Sequence, residues 1–205
     1  MTAKLPTRIF LDNSVLSLSG TMRGVAKNGE VTILGKPQKY SYLAYEKVPP
    51  LVGKSQEEMN EQINCLPTVA RLAREGILTI YSYSELGLEA SRESMSFPAD
   101  PTGRLFADVN IQDVQTPIER SRYFQLPLEK FTLNDCMIKF CKWLLEVDGA
   151  RIARWARSQA ECTSFELSNF HKLDRFHLLC SGLSENQYPD AFHLWTAELH
   201  GIPFF

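Results

Sequence analysis

The chain has 205 residues, enough for one sizeable domain or a domain with an insertion. Hydrophobic residues make up 44% and charged residues 22%, an ordinary globular balance. The net charge of −2 excludes nucleic-acid binding by the whole surface and leaves it to local basic patches. No run approaches the ~18 apolar residues of a membrane span, and the first residues hold no apolar core of a signal peptide. The five cysteines, at 65, 136, 141, 162 and 180, form no C-x-x-C pair and no zinc spacing, so a cytoplasmic protein with reduced thiols is expected.

Ile9-Phe10-Leu11 reads as a short buried strand. Asp12 follows at once, then Asn13 and Ser14, both good helix N-caps, and Val15 to Leu18 reads as a turn of helix. A carboxylate is thus expected where a strand gives way to a helix. That edge is where open α/β sheets bind ligands, although Asp12 as a simple cap explains the stretch equally well.

Residues 20–54 carry two strand-like runs, Val31–Leu34 and Tyr40–Tyr45, with Gly35-Lys36-Pro37 as a turn signal between them. A β-hairpin or extended loop is expected. Tyr40 and Tyr42 share one face by the two-residue period, near Lys36 and Lys39. Rings beside cations suit stacking on single-stranded RNA. The alternative is that the tyrosines pack the hairpin onto the domain.

A helix is expected over 55–75, with Ser55 as cap, Glu57 and Glu58 in its first turn, Arg71 and Arg74 in its last and Gly76 as stop. Pro67 predicts a break or kink. Ile77 to Tyr81 reads as a second buried strand, parallel to the first by the right-handed crossover rule. The next helix opens with Ser84-Glu85-Leu86-Gly87-Leu88-Glu89-Ala90, where Glu85 and Glu89 lie i, i+4 on one face. A solvated acidic face is the alternative use of such a pair.

Beyond residue 97 the pattern weakens. Leu105 to Val114 alternates loosely as a strand would, and Thr132 to Glu146 predicts a helix with Met137, Phe140, Cys141 and Leu144 as its apolar stripe, ended by Gly149. Arg151, Arg154 and Arg157 fall on one helical face that suits phosphates or plain solvent, with Ile152, Trp155 and Ala156 packing inward in the second case. Ser184-x-x-Gln187 resembles a capping box, and Pro189 moves the expected helix start to about Asp190. Phe192, Trp195 and Leu199 form that helix's stripe, Gly201 its stop, and Ile202 to Phe205 reads as a strand cut short. Asp190 in the first turn also suits the helix dipole alone.

Three pieces, Asp-Asn-Ser-Val-Leu at 12–16, Ser-Glu-Leu-Gly-Leu-Glu-Ala at 84–90 and Pro-Asp-Ala-Phe-His-Leu-Trp-Thr-Ala-Glu-Leu-His-Gly-Ile-Pro-Phe-Phe at 189–205, together resemble the PIN-domain family. Many of its members are metal-dependent ribonucleases, including the toxins of VapBC-type toxin–antitoxin pairs. The resemblance covers roughly the first 20 residues, 77–92 and 184–205. It implies a three-layer α/β/α fold with a mostly parallel central sheet. The chain would then be one domain over 1–205, with a hairpin or loop insertion at about 20–54, a largely helical insertion at about 97–176 and a truncated C-terminus. It also implies Asp12, Glu89 and Asp190 as catalytic and metal-binding acids, Ser14 in support, and Glu85 as the rival of Glu89. Two departures stand out: the middle of the chain is longer than in compact PIN toxins, and the sequence stops before the family's further Asp.

The chemistry agrees with those residue types. Phosphodiester cleavage builds negative charge that Mg²⁺ or Mn²⁺ offsets while activating water, and such hard cations take carboxylate oxygens. The expectation is therefore a ribonuclease acting on RNA, with an antitoxin protein and a second copy of the chain as further partners and no membrane. The alternative is a catalytically silent RNA- or protein-binding module on the same fold. A phosphotransferase of haloacid-dehalogenase type is a weaker third, because it needs an acid where Ser14 stands.

Overall fold

The computed structural model describes residues 7–12, 15, 22–33, 35–47, 56–86, 105–106, 108–124, 133–158 and 162–205. Along the chain run β1 (Thr7–Phe10), β2 (Met22–Ile33), β3 (Lys36–Lys47), α1 (Glu57–Arg74), β4 (Leu78–Ser82) and β5 (Ile111–Asp113). Then follow α2 (Arg120–Tyr123), α3 (Leu133–Glu146), α4 (Gly149–Ala156), α5 (Ser164–Phe170), α6 (Leu173–Cys180), a 3-10 turn (Glu185–Gln187) and α7 (Tyr188–Leu199). The architecture is mixed α/β, with β1, β4 and β5 in a parallel sheet of that order. The parallel pairing expected of the first and second strands is thus present. The chain forms two compact units, Met1–Thr7, Leu11–Ile80 and Ala90–Ile111 in the first, and Arg8–Phe10, Tyr81–Glu89 and Gln112–Phe205 in the second.

In the first unit, β2 and β3 pair antiparallel from Met22↔Lys47 to Ile33↔Lys36. The hairpin is longer than the two apolar runs suggested, and Lys36 and Pro37 belong to β3 rather than to the turn. Gly35, at φ 75°, supplies a left-handed residue at the turn. The pair flanking a two-residue loop is the hydrogen-bonded one. The next pair, Thr32↔Pro37, therefore asks no N–H of the proline. Helix α1 is continuous through Pro67. Pro67 is exposed, so water can satisfy the carbonyl that its missing N–H leaves open, and the predicted break does not occur. Gln56 is the N-cap and offers no side-chain bond; the predicted cap Ser55 lies outside the described residues.

The second unit is built around α7. Phe192 and Trp195 are fully buried, as their place on the predicted stripe required. Phe192 packs edge-on to Phe140 of α3 at 5.6 Å and to Phe176 of α6 at 5.9 Å. All four predicted stripe residues of α3 are buried. Gly149 does not end α3 but opens α4, where Asp148 accepts from the Arg151 N–H as N-cap. A Cβ on Gly149 would sit 2.1 Å from the Phe170 carbonyl oxygen, so glycine is required for α4 to approach α5 this closely. Among the described residues of the loose 105–114 alternation, Ile111–Asp113 is strand, while 105–106 and 108–109 are taken up by turns and a bend.

All five cysteines are free thiols. Cys136, Cys141 and Cys180 are buried and Cys65 is exposed on α1. Burial pushes the Cys180 thiol up to about 11 from its ordinary 9.0. It ionises first in the unfolded chain, so native stability falls as the pH rises from 9 through about 11. Maleimide labelling of the native protein, read by mass spectrometry, is expected to modify Cys65 first. Equally fast labelling of Cys141 or Cys180 would contradict this core.

Candidate active site

Helix α7 lies against β1 in a fixed sense. At the amino end of β1, the Arg8 guanidinium donates to the carbonyls of His200 at 3.0 Å and Gly201 at 3.2 Å, which close α7. Gly201, at φ 60°, turns the chain back. Phe204 then pairs parallel with Ile9 and accepts from the Phe10 N–H at 2.8 Å. At the other end, Tyr83, the first residue after β4, hydrogen-bonds through its hydroxyl to His193 Nδ1 at 2.6 Å. Both groups are buried. The amino end of α7 therefore stands at the edge where β1 and β4 end.

Asp190 occupies the first turn of α7, exposed, one turn before His193. The helix begins at Tyr188 with Pro189 just inside, slightly earlier than expected, and the Ser184–Gln187 capping box forms in the 3-10 turn ahead of it. Asp190 is thus at the positive end of a helix dipole, a place that favours its charge whatever else it does.

Glu85, in the helical start at 84–86, is buried. Arg120 clamps it: Nε lies 3.2 and 3.1 Å from the two carboxylate oxygens, and Nη2 lies 3.1 Å from Oε2. Ser84 meets Thr116 at 2.9 Å beside it. Both carboxylate oxygens of Glu85 are thus engaged by a fixed cation, which ties the start after β4 to residues 116–120. Asp12 follows the carboxyl end of β1 by two residues, is half-buried and belongs to the first unit. None of Asp12, Glu85 and Asp190 lacks an interaction partner. Glu89 and Ser14 lie outside the described residues. Carboxylate oxygens suit Mg²⁺ or Mn²⁺, but among the described residues no group of three His, Cys, Asp or Glu side chains could hold a metal ion.

Tyr83, His193 and Arg120 were not foreseen as parts of this edge. Sequence spacing carries no sign that residues 110 apart will share a hydrogen bond. The one available hint was a histidine on the apolar side of an otherwise hydrophobic helix, which needs a buried partner.

The expected RNA-contacting residues divide by position. In the first unit, strand register puts Tyr40, Tyr42 and Lys36 on one hairpin face with Lys27, Val31 and Ile33. Lys39, paired with Glu30, faces the other way. The two rings lie 5.7 Å apart and are exposed at 49% and 45%. A Cβ on Gly29 would reach within 2.7 Å of the Tyr40 ring, so glycine allows that ring to cross the strand. In the second unit Arg151, Arg154 and Arg157 are all exposed, and among the described residues none forms an ion pair. Ala156 packs inward as the solvated-face reading held, but Trp155 is 49% exposed.

Comparison with protein-family models, with curated proteins and with solved structures gives no match for this chain. Among the described residues no helix is long and apolar enough to cross a membrane.

Proposed function

We propose that the chain is a metal-dependent ribonuclease of PIN type, built on a three-layer α/β/α fold, with Asp12, Glu89 and Asp190 as its carboxylates. The observation that carries this reading is the sense of α7. Its amino end, with Asp190, stands at the edge where the parallel strands β1 and β4 end, and the chain reaches Asp12 immediately past one of those ends. Ligands of open parallel sheets bind at that edge. Mg²⁺ or Mn²⁺ held there would supply charge neutralisation and an activated water. Glu89 rather than Glu85 takes the third place, because Arg120 already engages both oxygens of Glu85.

The test is cleavage of a labelled single-stranded RNA with Mn²⁺. The expected result is cleavage that stops with EDTA and falls sharply in Asp190→Asn. Full activity in that variant would reduce Asp190 to a partner of the helix dipole.

The alternative is a catalytically silent RNA- or protein-binding module on the same fold. It predicts RNA binding without metal-dependent cleavage. In either case, reversing the charge of Arg151, Arg154 and Arg157 is expected to weaken RNA binding and to flatten the dependence of log Kd on log salt. An unchanged slope would leave α4 as a solvated helix.

A further inference from the structure

A groove of about 390 Å³ opens on the second unit, lined by Tyr123, Trp143, Arg151, Ile152 and Trp155. It is distinct from the acidic edge: its residues come from α2, α3 and α4, none of which supplies a candidate carboxylate. Three of its five walls are aromatic, and they are held in place. Trp143 stacks on Phe140 at 5.9 Å and meets Phe124 at 5.9 Å. Tyr123 stands edge-on to Phe170 at 5.1 Å and to Trp155 at 5.9 Å, and its hydroxyl donates to Cys162 Sγ at 3.0 Å. Burial, the hydrogen bond to Cys162 and the charge of Glu166 raise the Tyr123 phenol well above its usual range, so it stays neutral at working pH.

The charged residue among those lining the groove is a cation, and the N-cap acid Asp148 lies three residues before it. Arg151 lines the groove, Arg154 follows about one turn further along α4, Arg157 is the C-cap of that helix, and all three are exposed. The nearby acid Glu166 is already paired with Arg122. A solvent-exposed indole would ordinarily be turned inward, yet Trp155 keeps about half its surface exposed at the mouth of the groove. Flat apolar walls call for a planar ring, and exposed arginines call for an anion next to it. A nucleotide within a single strand meets both demands, with its base in the groove and its phosphates along α4.

We propose that the Tyr123–Trp143–Trp155 groove holds one unpaired base of a single-stranded RNA while Arg151 and its neighbours on α4 take the adjoining phosphates. The naming of RNA rests on the ribonuclease reading; the stacking and charge arguments stand on the groove itself. A strand is favoured over a free nucleotide because Arg154 and Arg157 follow Arg151 by three and six residues, up to about 9 Å along the helix axis, which offers cations to more than the phosphate next to the base.

The experiment is fluorescence anisotropy of a labelled ten-nucleotide unstructured RNA with the full chain in EDTA, where cleavage cannot occur. Trp155→Ala is expected to weaken binding by about tenfold, the usual effect of losing one base–aromatic stack. Trp155→Phe, which keeps an aromatic face, is expected to bind within about threefold of the parent. Arg151→Gln is expected to lower the salt slope by about one. Unchanged binding in Trp155→Ala, equal loss in Trp155→Phe, equal affinity for a blunt duplex of the same length, or AMP binding as tightly as the RNA would each overturn the proposal. Because no step of this assay involves cleavage, its outcome is independent of whether Mn²⁺ supports hydrolysis at the acidic edge.

Discussion

Asp12→Asn is expected to abolish Mn²⁺-dependent cleavage of RNA while leaving the fold intact. The change removes one negative charge from a proposed cation site and keeps the shape and a hydrogen-bonding oxygen of the side chain. Replacing the outer partners of metal ligands already costs about 10–100-fold, so loss of a ligand should exceed about 100-fold. The stability of the variant should change little, because Asn caps a helix as well as Asp does. Initial rates at saturating Mn²⁺ and a thermal melt of the same preparation separate the two effects. A variant that cleaves like its parent makes Asp12 a cap and nothing more. A variant that fails to cleave because it no longer melts cooperatively would show a structural role instead.

Arg120→Met carries the second large effect, and it acts on stability. Glu85 and Arg120 have side-chain exposures of only 7% and 14%, and the guanidinium meets both carboxylate oxygens. Removing the cation leaves a buried carboxylate with its principal partner gone, which typically costs about 3–5 kcal/mol. For a chain of this length that is a fall in Tm of roughly 6–20 °C. The paired replacement Glu85→Leu with Arg120→Met should recover most of the loss, because no buried charge then remains. Both melts belong in the same buffer at neutral pH. A shift under about 1 kcal/mol for Arg120→Met would mean that water already reaches Glu85.

The helical parts of the second unit were legible because their signals are local. Met137, Phe140, Cys141 and Leu144 repeat at helical spacing, and the Ser184–Gln187 capping box and Gly201 stop lie within a few residues of the helix they bound. The strand pair was legible for a similar reason, since a buried run, a helix and a second buried run leave few connections open. What escaped were features set by contacts distant in sequence. Gly149 looked like a helix stop, yet its role is the near contact with the Phe170 carbonyl. Pro67 looked like a breaker, yet it faces solvent and α1 passes through it. Glu85 and Glu89 share one face by spacing and the resemblance favoured Glu89, but the clamp of Arg120 on Glu85, 35 residues on, had no sign in the sequence. Lys39 adjoins Tyr40 in sequence, but the period of two sends neighbours to opposite faces, and the register accordingly sets it beside Glu30.

The central claim is that Asp12 and Asp190, with Glu89, share one divalent cation at the carboxyl ends of β1 and β4. Anomalous diffraction at the manganese edge, from crystals of the full chain grown with Mn²⁺, tests it most directly. The expected result is an anomalous peak bound by the carboxylates of Asp12 and Asp190, either directly or through a shared water, with Glu89 completing the set. Density showing those carboxylates at different edges of the sheet, with manganese held elsewhere or not at all, would contradict it.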